Sequence, residues 1–332
     1  MEAEPTIIPV AGGKGGVGKS LVAANIAISL AELGKSTIAV DLDLGGSSLH
    51  NYLGLHNTNP GIGDYLKAKA GDLESLLVPT AHANLHFLPG DGHTPFMANI
   101  QYVQKIKLLK EIKRLPADYI ILDLGAGSSY NVLDYFGLAH SGIIVATFDY
   151  SSMMNVLGFL RNFIYRLFRQ VSRHNKWICE MLEELYHQPI SAEVPNVEEI
   201  IIKAGDIDAE VAEKMRYVCD KCRPRFIFNM GDHPDELNVL DAFDKALRER
   251  LSIEADYIGF VFEDPSVRRA VKKRLPLVSN CRDSVAAKNL QEISKRVVHL
   301  WNRPVENSIE RLIKATMRDY EEMPGKPGSA SN

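Results

Sequence analysis

The sequence feature that most restricts the fold is a glycine-rich segment placed between a strand pattern and a helix pattern. Residues 12–20 read GGKGGVGKS and satisfy the pattern G-x-x-x-x-G-K-[ST] from Gly13 onward. A β-branched run at residues 6–11 precedes the segment, and apolar residues at helical spacing follow it over residues 20–33. A strand, a glycine loop and a helix in this order predict a phosphate-binding loop at the edge of a sheet.

The residue types of this loop suit a nucleoside triphosphate with Mg²⁺. Glycines allow consecutive backbone N–H groups to face phosphate oxygens, and the helix dipole favours an anion at Ser20. Lys19 is placed to reach the β and γ phosphates, and the Ser20 hydroxyl is a Mg²⁺ ligand. The alternative is a glycine turn that binds nothing. The predicted nucleotide contacts are Gly13, Lys14, Gly15, Gly16, Val17, Gly18, Lys19, Ser20 and Leu21.

The rest of the chain alternates short β-branched runs with helical stretches, which is the pattern of βα units around a parallel sheet. Strands are predicted at residues 6–11, 36–41, 85–88, 119–123, 142–147, 225–229 and 256–261. The predicted fold class is α/β, with a mostly parallel sheet flanked by helices and a helical insertion. We predict one interrupted domain at residues 1–157 and 223–303, the insertion at 158–222, a C-terminal helix at 304–323 and a disordered tail at 324–332.

Composition and charge favour a cytoplasmic protein. The 332 residues are 45% hydrophobic and 24% charged, and the net charge of -4 provides no overall attraction to nucleic acid or anionic lipid. The first residues lack the features of a signal peptide, and no apolar run approaches the roughly 20 residues of a membrane span. We therefore expect reduced thiols at Cys179, Cys219, Cys222 and Cys281.

An additional lysine in the loop, Lys14, indicates which family of P-loop proteins this sequence resembles. K-G-G-x-G-K-[ST] is the deviant Walker A signature, and this chain resembles the MinD/ParA family, most of all its MinD- and FlhG-like members. Residues 41–46 are similar to the first switch of that family, and residues 119–127 are similar to its Walker B strand and second switch. Residues 226–229 and 258–267 resemble its two adenine-side segments. The resemblance implies a P-loop NTPase fold of the SIMIBI, MinD-like type, with ATP and Mg²⁺ as cofactors.

Residue roles follow from the matched positions together with the chemistry of phosphoryl transfer, which needs charge neutralisation and a positioned water. Asp43 is expected to orient or activate the attacking water. Ser20, Asp41 and Asp123 are the expected metal set, with Asp41 in the outer shell. Lys14 is implied to cross a two-fold interface and stabilise phosphates bound by the other subunit, so that Lys14, Lys19 and Asp43 are the catalytic residues. The alternatives are a strand-end turn for Asp123 and a loop-start acid pair for the other aspartates.

The adenine side of the site is predicted from residues farther along the chain. The Asn229 side chain offers a donor and an acceptor to the adenine edge, and backbone groups at Phe262, Glu263 and Asp264 are expected on the other side of the base. A strand-end cap is the alternative for Asn229. The first switch carries Ser47 and Ser48 where MinD-like sequences often place an asparagine, which leaves the hydrolysis rate open.

The resemblance implies an ATPase, converting ATP to ADP and phosphate, that dimerises with ATP and regulates the positioning or assembly of a flagellum, pilus or division structure. A protein partner is expected. One alternative is an ATP-dependent synthetase-like enzyme whose substrate pocket the insertion supplies. Another is an iron–sulfur carrier of Mrp type, in which Cys219 and Cys222 from two subunits provide four thiolates. An inert cysteine pair is the third possibility.

Three surface segments are candidates for contact with partners. Residues 151–179 contain no acidic residue and carry Arg161, Arg166, Arg169, Arg173 and Lys176, which predicts a basic amphipathic helix for an acidic partner or a peripheral membrane contact. Packing of its apolar stripe on the core is the alternative. The basic run at residues 268–274 favours a solvated or protein-binding helix over DNA. In the helix predicted at residues 307–323, acids outnumber bases, which favours packing on the domain.

Overall fold

The computed structural model describes residues 4–67, 72–90, 100–139, 141–186 and 195–323. These residues form one eight-stranded sheet with helices on both faces. The predicted α/β fold class is confirmed. The tail predicted at residues 324–332 lies outside the described residues.

The sheet is parallel except at one edge, and its order is β3-β4-β2-β5-β1-β6-β7-β8. The short strand β3 pairs antiparallel with β4. The central position of β1 places the glycine loop in the middle of the carboxyl edge of the sheet. The strands are β1 Thr6–Ala11, β2 Thr37–Leu42, β3 Val78–Pro79, β4 Leu85–Leu88, β5 Tyr119–Leu124, β6 Ile143–Ala146, β7 Arg225–Gly231 and β8 Asp256–Phe262.

Fourteen helices are described, together with 3-10 turns at Glu74–Leu76 and Pro234–Val239. They are α1 Lys19–Glu32, α2 Leu49–Tyr52, α3 Ile62–Leu66, α4 Tyr102–Ile112, α5 Tyr130–Phe136, α6 Tyr150–Val171, α7 Lys176–Tyr186, α8 Val197–Ile207, α9 Ala209–Lys221, α10 Leu240–Leu251, α11 Pro265–Lys273, α12 Leu277–Asn280, α13 Val285–Leu300 and α14 Ser308–Glu321. No described helix is both long enough and apolar enough to cross a membrane.

Apolar residues of the strands explain why the sheet is buried on both faces. The patterns of β2 and β8 are buried throughout, as expected of parallel strands covered by helices. One core lies between the sheet and α1 with α13, and the other lies between the sheet and α5, α6 and α10. The sheet is therefore held rigidly from both sides, and the loops at its carboxyl edge rest on a fixed support.

The structure differs from the single basic helix predicted over residues 151–179, and it agrees with the alternative that the apolar stripe packs on the core. The helix α6 ends at Val171, and α7 begins at Lys176, because the Asn175 side chain accepts a hydrogen bond from the backbone N–H of Ile178 and caps a new helix. The apolar stripe of α6 is also not exposed. Its members pack in the core beside α5 and α9: Leu160, Phe163, Ile164 and Phe168 are buried, and Leu167 and Val171 are partly buried.

Four helices, α6 to α9, separate β6 from β7, in the region where the sequence predicts a helical insertion. The first of them begins at Tyr150, eight residues before the predicted boundary at residue 158. The division into a domain and an insertion stays a prediction. At the other end of the chain, Leu312 of α14 is buried against the core, and Tyr320 stacks on Phe262 with ring centroids 6.0 Å apart. The helix α14 thus packs on the sheet.

Candidate nucleotide site

The glycine loop connects β1 to α1 and is shaped by its lack of side chains. Gly16 and Gly18 have φ angles of 84° and 89°, in the left-handed region that favours glycine. A Cβ atom on Gly13 would lie 2.4 Å from the carbonyl carbon of Asn155, so the loop packs directly against the backbone of α6. Gly15 and Gly16 face open space. The loop is thus anchored at one end and accessible at its tip.

Lys19 is the first residue of α1, and its side chain is buried beneath the loop. Burial lowers the pKa of Lys19, while the negative charges of Asp123 and Asp43 oppose that decrease. Two carboxylates therefore lie near this ammonium group. The structure brings together residues that are more than 100 positions apart in the sequence, as expected for the carboxyl edge of a parallel sheet.

Asp41 and Asp123 occupy paired positions on the neighbouring strands β2 and β5. Both are fully buried, but their oxygens differ in hydrogen bonding. The two oxygens of Asp41 accept backbone N–H groups of Asp43 and Leu49, each at 3.1 Å, so Asp41 fixes the start of the loop after β2. Among the described residues, neither oxygen of Asp123 accepts a hydrogen bond of acceptable geometry, although the Ser20 hydroxyl is close enough to lower the pKa of this carboxyl.

The two carboxyls have pKa values raised for the same principal reason. Burial raises the pKa of Asp123 to about 7, against the opposing effects of Ser20 and Lys19. Burial, reinforced by Asp123, raises the pKa of Asp41 well above its ordinary value, against two backbone hydrogen bonds. A buried carboxylate with open coordination positions is costly in isolation and is stabilised by a cation. Asp123 has this character and Asp41 does not.

Asp43 lies between the loops that follow β2 and β5. A Cβ atom on Gly125 would lie 3.3 Å from its Oδ1, and one on Gly46 would lie 3.5 Å from the same oxygen. Small residues at both positions let the carboxylate approach the two loops. The carboxylate is partly exposed and carries its charge close to Lys19, which suits a group that orients a water molecule.

The residues present fit Mg²⁺ bound together with a nucleotide. The Ser20 hydroxyl accepts a hydrogen bond from Ser48 at 3.3 Å, and the Asp123 carboxylate lies close enough to Ser20 to be influenced by it. Among the described residues, no group of three or more His, Cys, Asp or Glu side chains forms a self-sufficient metal site. Mg²⁺ is commonly held by one or two protein groups with substrate phosphates and water, so Ser20 and Asp123 suffice.

Lys14 does not share the environment of Lys19. Its Nζ donates a hydrogen bond to Asp149 Oδ1 at 2.7 Å, and the side chains of this pair are 32% and 48% exposed. Asp149 also accepts the hydroxyl of Thr147 and the backbone N–H of Ser152. Lys14 and Thr147 together lower the pKa of Asp149 to about 2, so Asp149 is ionised at neutral pH. Within this chain, Lys14 is held at the start of α6.

Asn229 contacts the loop through its side chain. Its Nδ2 donates to the carbonyl of Val17 at 2.9 Å and would lie 2.2 Å from a Cβ atom on Gly18. The side chain that is predicted to contact the adenine edge is therefore hydrogen-bonded to the phosphate loop. On the other side, the backbone N–H of Phe262 donates to Asn289 and that of Glu263 donates to Gly231.

Asp264 accepts the backbone N–H groups of Ser266 and Ala286, so this side chain caps α11 and ties it to α13. The N–H groups of Phe262 and Glu263 and the side chain of Asp264 are thus already hydrogen-bonded. Only the remaining backbone groups of these residues are available for the predicted contact with adenine. Their contact with adenine stays a prediction.

The cysteine pair lies away from this site, at the end of α9. Cys219 and Cys222 are each 4% exposed. Burial raises the pKa of both thiols, that of Cys219 to about 12. Thiols in such surroundings are protonated and inert, whereas metal ligation requires thiolates.

Sequence reasoning missed three residues of the site: Thr147, Asp149 and Asn155. The first two follow β6 at the carboxyl edge, next to β1, and Asp149 is the cap of α6. A strand end followed by a capping aspartate was the signal that could have found them.

A glycine loop at the N-terminus of a helix, a buried lysine and acidic strand ends define this chain as a P-loop nucleotide-binding protein of the α/β class. Residues 5–161 match a family model described as ParA: NUBPL iron-transfer P-loop NTPase. Over residues 5–161 the chain therefore matches the ParA/MinD family of P-loop NTPases, whose members are ATPases.

Individual relatives agree with this assignment. Septum site-determining protein MinD of Helicobacter pylori is 33% identical over 148 residues, which is 44% of this chain and 54% of that protein. Antiactivator FleN of Pseudomonas aeruginosa is 22% identical over 317 residues and covers 93% of each chain. The structure of MinD from Pyrococcus horikoshii with Mg-ADP has a TM-score of 0.59 at 20% identity and covers 91% of this chain and 100% of its own. The predicted family is confirmed.

Proposed function

We propose that this chain is a Mg·ATP-dependent ATPase that dimerises on binding ATP and regulates the positioning or assembly of a cellular structure. The observation that carries the proposal is the separation of two lysines within one loop. Lys19 is buried beside Asp123 and Asp43, whereas Lys14 is bound to Asp149 at the start of α6. One lysine is thus placed for its own nucleotide, and the other is held away from the carboxylates of that site.

Each of the remaining groups has a chemical task in this proposal. Backbone N–H groups of the loop and the ammonium of Lys19 bind the β and γ phosphates. Ser20 and Asp123 hold Mg²⁺, which neutralises phosphate charge when bound. The Asp43 carboxylate accepts a hydrogen bond from the attacking water and aligns it with the γ phosphate. Asp41 keeps the loop that carries Asp43 in place through its two backbone hydrogen bonds.

The position of Lys14 supports the proposed dimer. This lysine lies at the accessible end of the loop, next to Gly15 and Gly16, which have open space around them. When Lys14 leaves Asp149, its side chain can extend from the surface toward phosphates bound by a second copy. Each subunit then completes the charge around the nucleotide of the other, in the manner of an arginine finger.

A role in positioning rests on the relatives. MinD is named a septum site-determining protein, and FleN, which covers 93% of both chains, is named an antiactivator. Regulation of a partner suits a protein whose surface changes when two copies join. We propose a cytoplasmic location, and peripheral membrane contact would have to use a surface other than the packed apolar stripe of α6.

An experiment that combines turnover with oligomeric state tests the proposal. Phosphate release and light scattering are measured with Mg·ATP for the wild type, for Lys14→Ala and for Lys272→Ala, an exposed lysine on α11 that serves as the control. The wild type and the control should dimerise and hydrolyse ATP, while Lys14→Ala should bind ATP as a monomer with little turnover. Brisk hydrolysis by a wild type that stays monomeric would refute the dimer model.

The iron–sulfur carrier is the second candidate, because the matching family model is described as an iron-transfer NTPase. The buried, protonated thiols of Cys219 and Cys222 weigh against it. Iron and sulfide analysis of protein purified without oxygen distinguishes the two candidates. Stoichiometric iron that is lost in Cys222→Ser would favour the carrier.

A further inference from the structure

A groove of about 560 Å³ lies between α4 and α6, on the side of the sheet that carries α5. Its walls come from the exposed edges of the two helices. The end of α5 and the two residues after it lie between them and provide Asp134, Gly137 and Leu138. None of the residues assigned above to the nucleotide site lines this groove. A ligand-binding role for this groove would be a further function of the chain, and it does not depend on the proposed ATPase activity.

The groove is strongly basic in a chain that is acidic overall. Among the described residues that line it there are six cations and a single carboxylate, Asp134, although the chain has a net charge of -4. Arg169 forms an ion pair with Glu183, at 2.5 Å. The described residues that line the groove still carry a large excess of positive charge. The cations are Lys105, Lys110, Lys113, Arg166, Arg169 and Arg173.

Two of these cations are held in fixed positions by the carboxylate. Arg166 donates from Nε and Nη2 to the two oxygens of Asp134, at 2.7 and 2.9 Å, and the Lys105 ammonium contacts the same carboxylate. The guanidinium also lies over the Tyr130 ring, 4.8 Å from its centroid. Among the described residues, the two cations share one carboxylate in an ordered geometry, and such preorganisation lowers the entropic cost of binding an anion.

A second, apolar cleft of about 220 Å³ continues the groove and shares Gly137 and Gln170 with it. Its lining comes from α6 and α9 and is mostly apolar, with Phe163, Leu167 and Val218 among its members. A cleft of this size suits a single large apolar side chain. The basic groove and the apolar cleft are therefore adjacent, and together they offer two chemical preferences.

The shape and lining of this site favour a peptide over the other polyanions. A flat bilayer cannot enter a concave groove, and a duplex is too wide for it. Single-stranded nucleic acid is usually held by stacking on aromatic rings, and none of the described residues lining the basic groove is aromatic. An extended peptide supplies both the carboxylates and the apolar side chain that the two parts require.

We propose that this site binds an acidic peptide segment of a partner protein, with its carboxylates in the groove between α4 and α6 and one large apolar side chain in the cleft beside α9. Lys110, Lys113 and Arg173, which are exposed, meet carboxylates at the rim. The segment that begins α5 follows the second switch directly, so an occupant of this groove would lie one helix away from the nucleotide site.

Fluorescence anisotropy with defined peptides tests the proposal. The probe is fluorescein-labelled Asp-Glu-Asp-Glu-Gly-Phe, and it is compared with a neutral version, Asn-Gln-Asn-Gln-Gly-Phe, and with an acidic version that ends in Gly. The acidic probe should bind the nucleotide-free full chain, and its affinity should fall with salt. Replacing Phe with Gly should weaken binding about tenfold or more, because burying an aromatic side chain contributes that much.

Paired charge reversals separate the groove from general basicity. The double variant Lys110→Glu with Lys113→Glu should weaken binding of the acidic probe about tenfold or more, since two attractions become repulsions. The control, Lys272→Glu with Lys273→Glu, makes the same change in net charge on the exposed face of α11 and should change the affinity less than about twofold. Ala139→Leu narrows the cleft and should abolish the advantage of Phe over Gly.

The outcomes that overturn the proposal are equally specific. Absence of acidic-probe binding, equal weakening by the two double variants, or equal binding of the neutral peptide would each refute it. Tighter binding of oligothymidylate or of phosphatidylglycerol vesicles, lost in the α4 variant, would assign the groove to that polyanion instead. Thermal unfolding and ATP binding of every variant confirm that the fold is intact. If the wild type does not hydrolyse ATP, the proposed function fails, but the peptide-binding result still stands.

Discussion

Replacing Asp149 with asparagine removes the charge that holds Lys14 and keeps the helix cap of α6, because asparagine caps helices as well as aspartate does. In the monomer, Lys14 Nζ lies 2.7 Å from Asp149 Oδ1. Lys14 must leave this partner before it can reach phosphates in a second subunit. The variant therefore loses an interaction that stabilises the monomer, and we expect it to dimerise more readily with nucleotide.

The expected size of the effect follows from the exposure of the pair. The side chains of Lys14 and Asp149 are 32% and 48% exposed, so solvent screens their attraction and an interaction of about 0.2–1 kcal/mol is appropriate. A dimer releases two such pairs, which gives about 0.4–2 kcal/mol in favour of association. This corresponds to a decrease of about 2-fold to 30-fold in the dimer dissociation constant.

Sedimentation equilibrium with a non-hydrolysable ATP analogue measures that constant. Asp149→Asn should shift the monomer–dimer transition to lower protein concentration, and added salt should reduce the difference from the wild type. Asp208→Asn is the matched control, because Asp208 caps α9 in the same way and lies away from the loop. A dissociation constant that is unchanged or higher in Asp149→Asn would show that the pair does not restrain Lys14.

The other predictions concern the buried part of the site. Lys19→Ala should weaken ATP binding in calorimetric titration by about tenfold to hundredfold, because it removes a charged contact to the β and γ phosphates, and an unchanged affinity would reject the site. Asp43→Ala should bind Mg·ATP normally but release phosphate about 10²-fold to 10⁴-fold more slowly, and normal turnover would remove Asp43 from the mechanism. The pKa of Asp123, about 7 when folded, lies above its unfolded value, so the folded state binds the proton more tightly and its stability without nucleotide should fall as pH rises from about 4 to 7. Asp123→Asn should flatten that decrease in scanning calorimetry between about pH 4 and 7, and an equally steep slope would contradict the assignment.

Much of the fold is visible in the sequence because buried parallel strands are continuous apolar runs. The predicted strands at residues 6–11 and 85–88 have the bounds observed for β1 and β4, and the others differ by one or two residues at their ends. The strand β7 extends past its predicted end because Met230, with a φ of 61°, accommodates a register shift against β8. The strand β3 was not predicted, since two residues that include a proline carry no strand pattern.

The candidate site was predictable where one local segment determines it. The loop at residues 12–20 carries its own pattern, and the strand ends at Asp41 and Asp123 meet because their strands are neighbours. Pairings across long separations leave no such pattern. Lys14 and Asp149 are 135 positions apart, and the hydrogen bond from Asn229 to the loop spans 212 positions.

Arg166, on the surface of α6, is another residue whose partner cannot be predicted from the local sequence. Spacing along one helix indicates a solvated basic face, but the arginine is bound to Asp134 of α5, a partner that periodicity along α6 cannot reveal. Helical periodicity also continues through residues 172–175, where the chain turns. The break depends on the capping side chain of Asn175. A tertiary contact decides the environment of Arg166, and a local capping hydrogen bond decides the break at Asn175; helical periodicity predicts neither.

The hydrogen bond between Asn229 Nδ2 and the carbonyl of Val17 has a consequence for the order of synthesis. The side chain that braces the loop is made more than 200 residues after the loop itself. A nascent chain that ends at β6 has the complete glycine pattern and lacks the strand that supports it. Nucleotide capture should therefore mature late in translation, when β7 joins β6. Until β7 is made, a newly synthesised chain should bind nucleotide more weakly than the folded chain does.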